Sequence, residues 1–162
     1  MTSPPHCLPT AILSIDDLYL PYYLQTRLAA SHPLNPLIQH RGQPSTHDLP
    51  LGLALFSALR SRQPNIKIPS YDKSAHNGQG DRADENEWRI VNREGQDRVE
   101  VVILEGWCVG FRALQEEELE RKWREAKKKE ESGQGTGRLG KERLQDVQFV
   151  NEALRGYDGL TE

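Results

Sequence analysis

The sequence predicts an α/β fold organised on parallel strands. Three observations predict it. Two apolar runs, residues 10–15 and 99–104, are too short to be helices by themselves. Each run stops at acid, Asp16-Asp17 in the first case and Glu105 in the second, and strand carboxyl ends are where parallel-sheet enzymes place their chemistry. The second run, rich in Val, Ile and Leu, has the composition of a buried parallel strand.

The elements follow in order. Residues 1–9 hold three prolines and read as a disordered or mis-assigned start. Thr10 to Ile15 is a short buried strand. Pro21 to Ala30 is a helix, with proline at an early position where a missing N–H costs little. Residues 31–47, rich in Pro, His, Asn and Gly, form a loop. Asp48 is a good N-cap for a helix whose Leu49, Leu53, Phe56 and Leu59 recur at helical spacing and face a core. Ile66 to Ile68 is a brief strand, stopped by Pro69. Residues 70–87 make a long polar loop, and long loops in compact domains are often functional. Trp88–Val91 and Val99–Leu104 are strands, separated by Arg93–Asp97.

Residues 114–131 form the clearest helix. Glu117/Arg121, Glu118/Lys122, Glu120/Arg124 and Glu125/Lys129 are acid-then-base pairs at i,i+4, and the apolar set is thin: Leu114, Leu119, Trp123 and Ala126. That is the pattern of a solvated helix, so Lys127–Lys129 is not a nucleic-acid patch. Residues 132–140 read as a flexible Gly-rich linker, and Leu144–Leu154 returns to helical patterning. The chain divides into a start (1–9), a main body (10–113), a charged helix with a Gly-rich insertion (114–143) and a return to the scaffold (144–162).

At 162 residues the chain is one domain or part of one. Its 36% hydrophobic content is low for a self-sufficient domain, so the expected core is incomplete or part of the chain is solvated. A net charge of −3 and a pI near 6.0 give no electrostatic footprint for nucleic acid or an anionic membrane. No apolar run is longer than Val101–Leu104, which is far too short to span a bilayer. The start has no basic segment followed by a long apolar stretch, as a secretory signal needs. Cys7 and Cys108 are too few for a disulfide framework or a metal knuckle. A reducing compartment is expected, the cytoplasm first and the nucleus second.

Four segments carry chemistry. Ser14-Ile-Asp-Asp-Leu-Tyr19 places Asp16 at a strand end, where a carboxylate can lie close to an alcohol and an incoming phosphoryl group. Arg41-Gly-Gln-Pro-Ser-Thr-His-Asp48 offers Arg41, whose fork suits an anion such as a carboxylate, and His47, suited to orienting an acceptor or neighbouring loops. Tyr71-Asp-Lys-Ser-Ala-His-Asn-Gly-Gln-Gly-Asp-Arg82 puts two cations, Lys73 and Arg82, on one loop, with Asp72 and Asp81 as their expected partners. Ile103-Leu-Glu-Gly-Trp107 ends a strand in Glu105, with Gly106 to turn the backbone beside a ligand. Trp107 and Phe111 are expected to pack rather than stack on a ligand, and Cys108 to be inert. No two of the five histidines stand at i,i+4, so no helical metal site is expected.

In order and spacing these segments resemble the D-glycerate 3-kinase family and its yeast kinase-like relatives, among the P-loop kinases. The resemblance covers roughly residues 11–111, with a shorter match in Val150-Asn151, Leu154 and Tyr157. It departs at Ser45, where the family usually has Gly. It implies a P-loop NTPase fold of the kinase type, a parallel sheet with helices on both faces, incomplete at both ends. It implies ATP and Mg²⁺ as cofactors and a small-molecule acceptor. By the same resemblance Asp16 is the base, and Glu105 lies near the metal and its waters. Arg41, His47, Tyr71, Lys73 and Arg82 bind the acceptor, and Asp17 and Gly106 lie on the cofactor side.

A Walker phosphate loop needs G-x-x-x-x-G-K-[ST]. Gly135 to Lys141 matches seven positions, but Glu142 stands where the hydroxyl belongs, and a charged helix rather than a strand precedes it. Two expectations therefore stand side by side. One is a fragment of an ATP-dependent kinase; the other is a non-catalytic relative that binds a metabolite or a partner.

Overall fold

The computed structural model describes residues 7–161. The expectation of an irregular start falls, for residues 1–6, outside the described residues. Pro9 is tied down: its carbonyl accepts the N–H groups of Glu100 and Val101 at 2.9 and 3.2 Å.

Strands β1 (Thr10–Ser14) and β6 (Val101–Glu105) pair in parallel, with Thr10 opposite Val101 and Ser14 opposite Glu105. Because both strands stop at the same register, Asp16, Asp17 and Glu105 emerge at one edge. Ile15, expected in the strand, already belongs to a 3-10 turn, Ile15–Leu18, which Ser14 caps. Side chains alternate across a strand. Ala11 and Leu13 therefore face the core with Val102 and Leu104, while their neighbours Ile12 and Ile103 are 52% and 44% exposed on the other face. The second strand is thus parallel as expected but buried on one side only.

Helix α1 (Tyr22–Ser31) starts after Pro21. Helix α2 (Leu49–Arg60) starts at Asp48, whose side chain accepts the Leu51 N–H at 3.1 Å. Its buried stripe is Gly52, Leu55 and Leu59, not the expected set containing Leu53, which is 41% exposed. The reason is Gly52. Side-chain carbons of Leu18 and Leu160 stand 3.0 Å from where its Cβ would be, so the helix turns its smallest residue inward and Leu53 outward.

The polar loop is less irregular than expected. Strands β2 (Ile66–Ile68) and β5 (Arg89–Val91) pair antiparallel, as do β3 (Tyr71–Asp72) and β4 (Asp81–Arg82). The single turn α3 (Ala75–Gly78) sits between β3 and β4, with His76 and Asn77 at φ 51° and 58°. Asn92, almost wholly buried, closes the β5–β6 connection by donating to Gln63 O at 2.9 Å and accepting from Val99 N at 2.7 Å.

Helix α4 (Glu116–Glu131) buries only Leu119, as its composition dictates. The Gly-rich stretch after it is not free along its whole length. A 3-10 turn at Leu139–Lys141 packs Gly140 against the backbone of Ala126, and the Trp123 indole donates to Glu142 O at 2.9 Å. Helix α5 (Leu144–Leu154) and the short α6 (Asp158–Thr161) bring Leu154, Tyr157 and Leu160 onto Ile15, Leu18 and Cys108. Asn151 clamps Leu114 from both sides, accepting its N–H at 2.8 Å and donating to its carbonyl at 2.9 Å. Among the described residues, no helix is long and apolar enough to cross a membrane.

Candidate active site

At the carboxyl end of β1 an open cleft of about 510 Å³ is lined by Asp16, Tyr19, His40, Arg41, Lys73, Asn77, Gly78 and Gln79. Three of the residues expected from sequence meet here. Lys73 Nζ donates to Asp16 Oδ2 at 2.7 Å, and Tyr19 also hydrogen-bonds the Asp16 carboxylate. Burial would raise the Asp16 carboxyl, but the Lys73 and Tyr19 contacts outweigh it and hold the group below its ordinary value. Asp16 is therefore ionised. Lys73 is 59% exposed, and an ion pair so open to water exchanges partners at little cost.

Arg41 reaches the cleft, but its fork is occupied. It donates to the carbonyls of Gly78 (2.7 Å), Gln79 and Lys73 (3.4 Å), and its guanidinium lies 5.7 Å from the Tyr71 ring centre. It therefore holds the 73–79 turn as well as lining the opening. Gly80, at φ +84°, makes this possible: a Cβ there would meet the Tyr71 ring and Arg41 Nη1.

The other expected residues stand outside the cleft. Arg82 points the other way, pairing with Asp48 at 2.9 Å and donating to Tyr19 O at 3.0 Å. Asp81 is not its partner through side chains. It accepts the Tyr22 N–H at 2.8 Å and meets His76 Nε2 at 3.0 Å, and His76 stacks on Tyr22 with ring centres 3.8 Å apart. Asp72 binds Ser74, not Lys73. These acids fix the turn, because short Asp side chains reach nearby backbone N–H groups more easily than a distant cation.

His47 is buried. It stacks on Tyr19 at 4.4 Å and its Nδ1 lies 2.6 Å from Tyr157 Oη. Burial lowers its pKa to about 4, against a small opposing effect of the Asp16 charge. Tyr71, also buried, backs the cleft through Arg41. Ser45 adopts φ 93°, the region natural to glycine, and its N–H donates to Tyr157 Oη at 3.2 Å.

On the far side of Asp16, Asp17 Oδ1 accepts the Tyr71 N–H at 3.1 Å. Burial raises the Asp17 carboxyl, and the neighbouring Asp16 and Glu105 charges add to this against the Tyr71 hydrogen bond. Glu105 is exposed at the end of β6. Gly106 follows at φ +150°, with Ile15 filling the space of its absent Cβ. Trp107 and Phe111 are half exposed and meet edge to face at 6.0 Å, while the Trp107 indole donates to Gly42 O at 3.0 Å. Cys108 is buried packing. Among the described residues no three His, Cys, Asp or Glu side chains converge as a ready ligand set.

No family model matches the chain. Over 102 residues it is 43% identical to the Schizosaccharomyces pombe protein named Uncharacterized kinase mug58, which spans 62% of this chain and 36% of that one. Over 108 residues it is 40% identical to D-glycerate 3-kinase, chloroplastic, of Arabidopsis thaliana, over 65% of this chain and 23% of that one. The solved D-glycerate 3-kinase of Cryptococcus neoformans var. grubii superposes with a TM-score of 0.81 at 35% identity, over 96% of this chain and 51% of that one. The chain is homologous to kinases of the D-glycerate 3-kinase type. Its α/β fold is the P-loop type of that solved kinase, as the sequence motifs imply. It spans about a third or less of the curated relatives' length and about half of the solved one.

Sequence reasoning missed His40, Asn77 and Gln79 as cleft residues. His40 adjoins Arg41 in sequence, which is the one signal that could have marked it. Asn77 and Gln79 reach the cleft only because the turn adopts positive φ.

Proposed function

We propose that this chain forms the acceptor side of a small-molecule kinase, which transfers the γ-phosphoryl group of ATP to a hydroxyl of a glycerate-like acid or related alcohol. The observation that carries the reading is the cleft itself, where an ionised carboxylate, Asp16, lies beside Lys73, Arg41 and His40. A base next to cations is what an anionic alcohol acceptor needs.

In the proposed reaction the acceptor's carboxylate draws the Lys73 ammonium away from Asp16. The freed Asp16 oxygen accepts the hydroxyl proton as the acceptor oxygen bonds to the γ-phosphorus. The bond from that phosphorus to the bridging oxygen breaks and ADP leaves. His47, Tyr71 and Arg82 support the acceptor loops from behind. A magnesium ion, when bound, would neutralise charge on the phosphates. The carboxylates of Glu105 and Asp17 suit it, acting mainly through its waters, since Mg²⁺ keeps several of them and no direct ligand set converges here. Gly106 leaves the backbone open to close approach. The loop at 135–142 is not assigned to the triphosphate: Lys141 pairs with Glu130 and Gly140 packs on Ala126. The proposal therefore assigns that role to polypeptide outside these 162 residues.

A second reading, a non-catalytic metabolite binder, is favoured by one observation: no G-x-x-x-x-G-K-[ST] occurs in this sequence. One experiment separates the two. The endogenous protein is purified at its native length and incubated with ATP, Mg²⁺ and D-glycerate, and ³¹P NMR follows phosphoglycerate. The kinase reading expects product, and Asp16→Asn lowers turnover by about 10²-fold or more. Glycerate binding without product supports the binder. Turnover unchanged in Asp16→Asn removes Asp16 from its role.

A further inference from the structure

We propose that Tyr157 is a positioning residue for the cleft, holding Asp16 in place through His47 and Tyr19. The inference rests on the reading of Asp16 as the group that faces the acceptor. It adds a residue from the far end of the chain.

The strut is continuous and dry. Tyr157, His47 and Tyr19 are 3%, 4% and 5% exposed. Tyr157 Oη lies 2.6 Å from His47 Nδ1, the His47 ring stacks on Tyr19 at 4.4 Å with planes 21° apart, and Tyr19, whose backbone N–H donates to Asp16 O at 3.3 Å, lines the cleft beside Asp16 with its hydroxyl toward the carboxylate. The backbone follows the same path. Leu20 N–H donates to Thr46 O at 2.9 Å and Asp48 N–H donates to Leu18 O at 2.7 Å, so residues 18–20 and 46–48 run side by side. Tyr157 Oη also accepts the Ser45 N–H at 3.2 Å, which fixes the adjoining turn.

Counting protons decides the tautomer. If His47 Nδ1–H donated to Tyr157, the phenol proton and His47 Nε2 would both be buried without a partner. If Tyr157 donates to Nδ1, only the Nε2–H is left over, and leaving a buried polar group unpaired is costly. The second arrangement is the favoured one: the phenol donates, and His47 is neutral with its proton on Nε2. Burial acts in the same direction, keeping His47 uncharged near neutral pH and Tyr157 protonated. The ring is then fixed on one edge by a hydrogen bond and backs Tyr19 with its face. Deleting the Tyr157 hydroxyl frees both His47 and the Ser45 turn, and the loosened Tyr19 gives up part of its bond to Asp16.

The test is NMR on this chain and needs no turnover, so its failure is separate from failure of the kinase reading. Nitrogen-15 shifts of His47 are read first on the unaltered protein, and a proton on Nδ1 overturns the proposal. Carbon-13 titration of the Asp16 carboxyl is then compared in wild type, Tyr157→Phe and Leu160→Ala. Leu160 lies in the same C-terminal packing but outside the strut. Tyr157→Phe is expected to move the Asp16 midpoint upward, toward that of an ordinary carboxylate, while Leu160→Ala leaves it in place despite a lower Tm. An unmoved midpoint in folded Tyr157→Phe, or an equal movement in Leu160→Ala, overturns the role. If Tyr157→Phe does not fold, Tyr19→Phe removes the last link, and the Asp16 midpoint must rise there.

Discussion

The cleft side of the molecule and the charged helix α4 are both rich in polar side chains, yet they use them in opposite ways. Around the cleft the bonds cross the sequence. Asp16 meets Lys73 at a separation of 57 residues, Arg41 meets Gly78 at 37, and His47 meets Tyr157 at 110. On α4 the ion pairs between helix residues are local, Arg121 with Glu125, Lys122 with Glu118 and Arg124 with Glu120, all at i,i+4, while Trp123, Glu130 and Glu116 reach out of the helix to Glu142, Lys141 and Gln148. A long-range bond specifies where a loop sits relative to a strand. A local one supports a helix that water would solvate in any case. The first kind builds a site and the second maintains solubility, so substitutions in the two regions should differ in size.

The largest effect is expected at the turn after β6. In Gly106→Ala the new methyl would meet Ile15, which is 1% exposed and has nowhere to move, at a φ of +150° that L residues rarely adopt. Overpacking and backbone strain each cost about 1–3 kcal/mol, so a loss of roughly 3 kcal/mol is expected. Urea denaturation measures it. A loss below about 0.5 kcal/mol, the range of ordinary surface changes, would mean that the β1–β6 edge yields. The contrast between a rigid site and a solvated helix would then fail.

A middle-sized effect of opposite sign is expected at Ser45. The residue holds φ 93° with its hydroxyl buried and unpartnered. Glycine adopts that conformation without strain. Ser45→Gly relieves both costs but gains unfolded-state entropy, and a net stabilisation of about 1 kcal/mol is expected. Thermal unfolding reads it as a rise in Tm, and a fall would show that the Ser45 methylene packs better than its backbone angle suggests.

Much of the scaffold was legible because its signals are local. The runs 10–15 and 99–104 each contain a strand, Thr10–Ser14 and Val101–Glu105, shifted by a residue or two, Asp48 caps α2, and Leu144–Leu154 is a helix at the residues its pattern marks. Asp16, Lys73 and Arg41 were legible as residue types that belong together around an anion. Their partners were not. The Arg41 fork is occupied by carbonyls of a turn whose His76 and Asn77 take positive φ, which few non-glycine residues do. The burial of Leu55 instead of Leu53 depends on where Leu18 and Leu160 arrive on Gly52. The partner of His47 lies in the last helical turns, and no spacing rule connects residues 110 apart. The missing part is tertiary: it becomes visible only when distant segments are placed against each other.

The smallest effect sharpens the comparison from the other side. Arg124 pairs with Glu120 at 2.7 Å, as short a contact as Lys73 with Asp16. By distance alone the two pairs are equal. Arg124 is 68% exposed, however, and exposed i,i+4 pairs contribute only about 0.3–0.5 kcal/mol because water and salt screen them. Alanine is also the best helix former, which offsets part of that loss. Arg124→Ala is therefore expected to change stability by less than about 0.5 kcal/mol, with 1 M salt removing most of the difference. A loss above 1 kcal/mol in urea denaturation would show that α4 is held to the body by its charges. The division between a specified cleft and a merely solvated helix would then have to be redrawn.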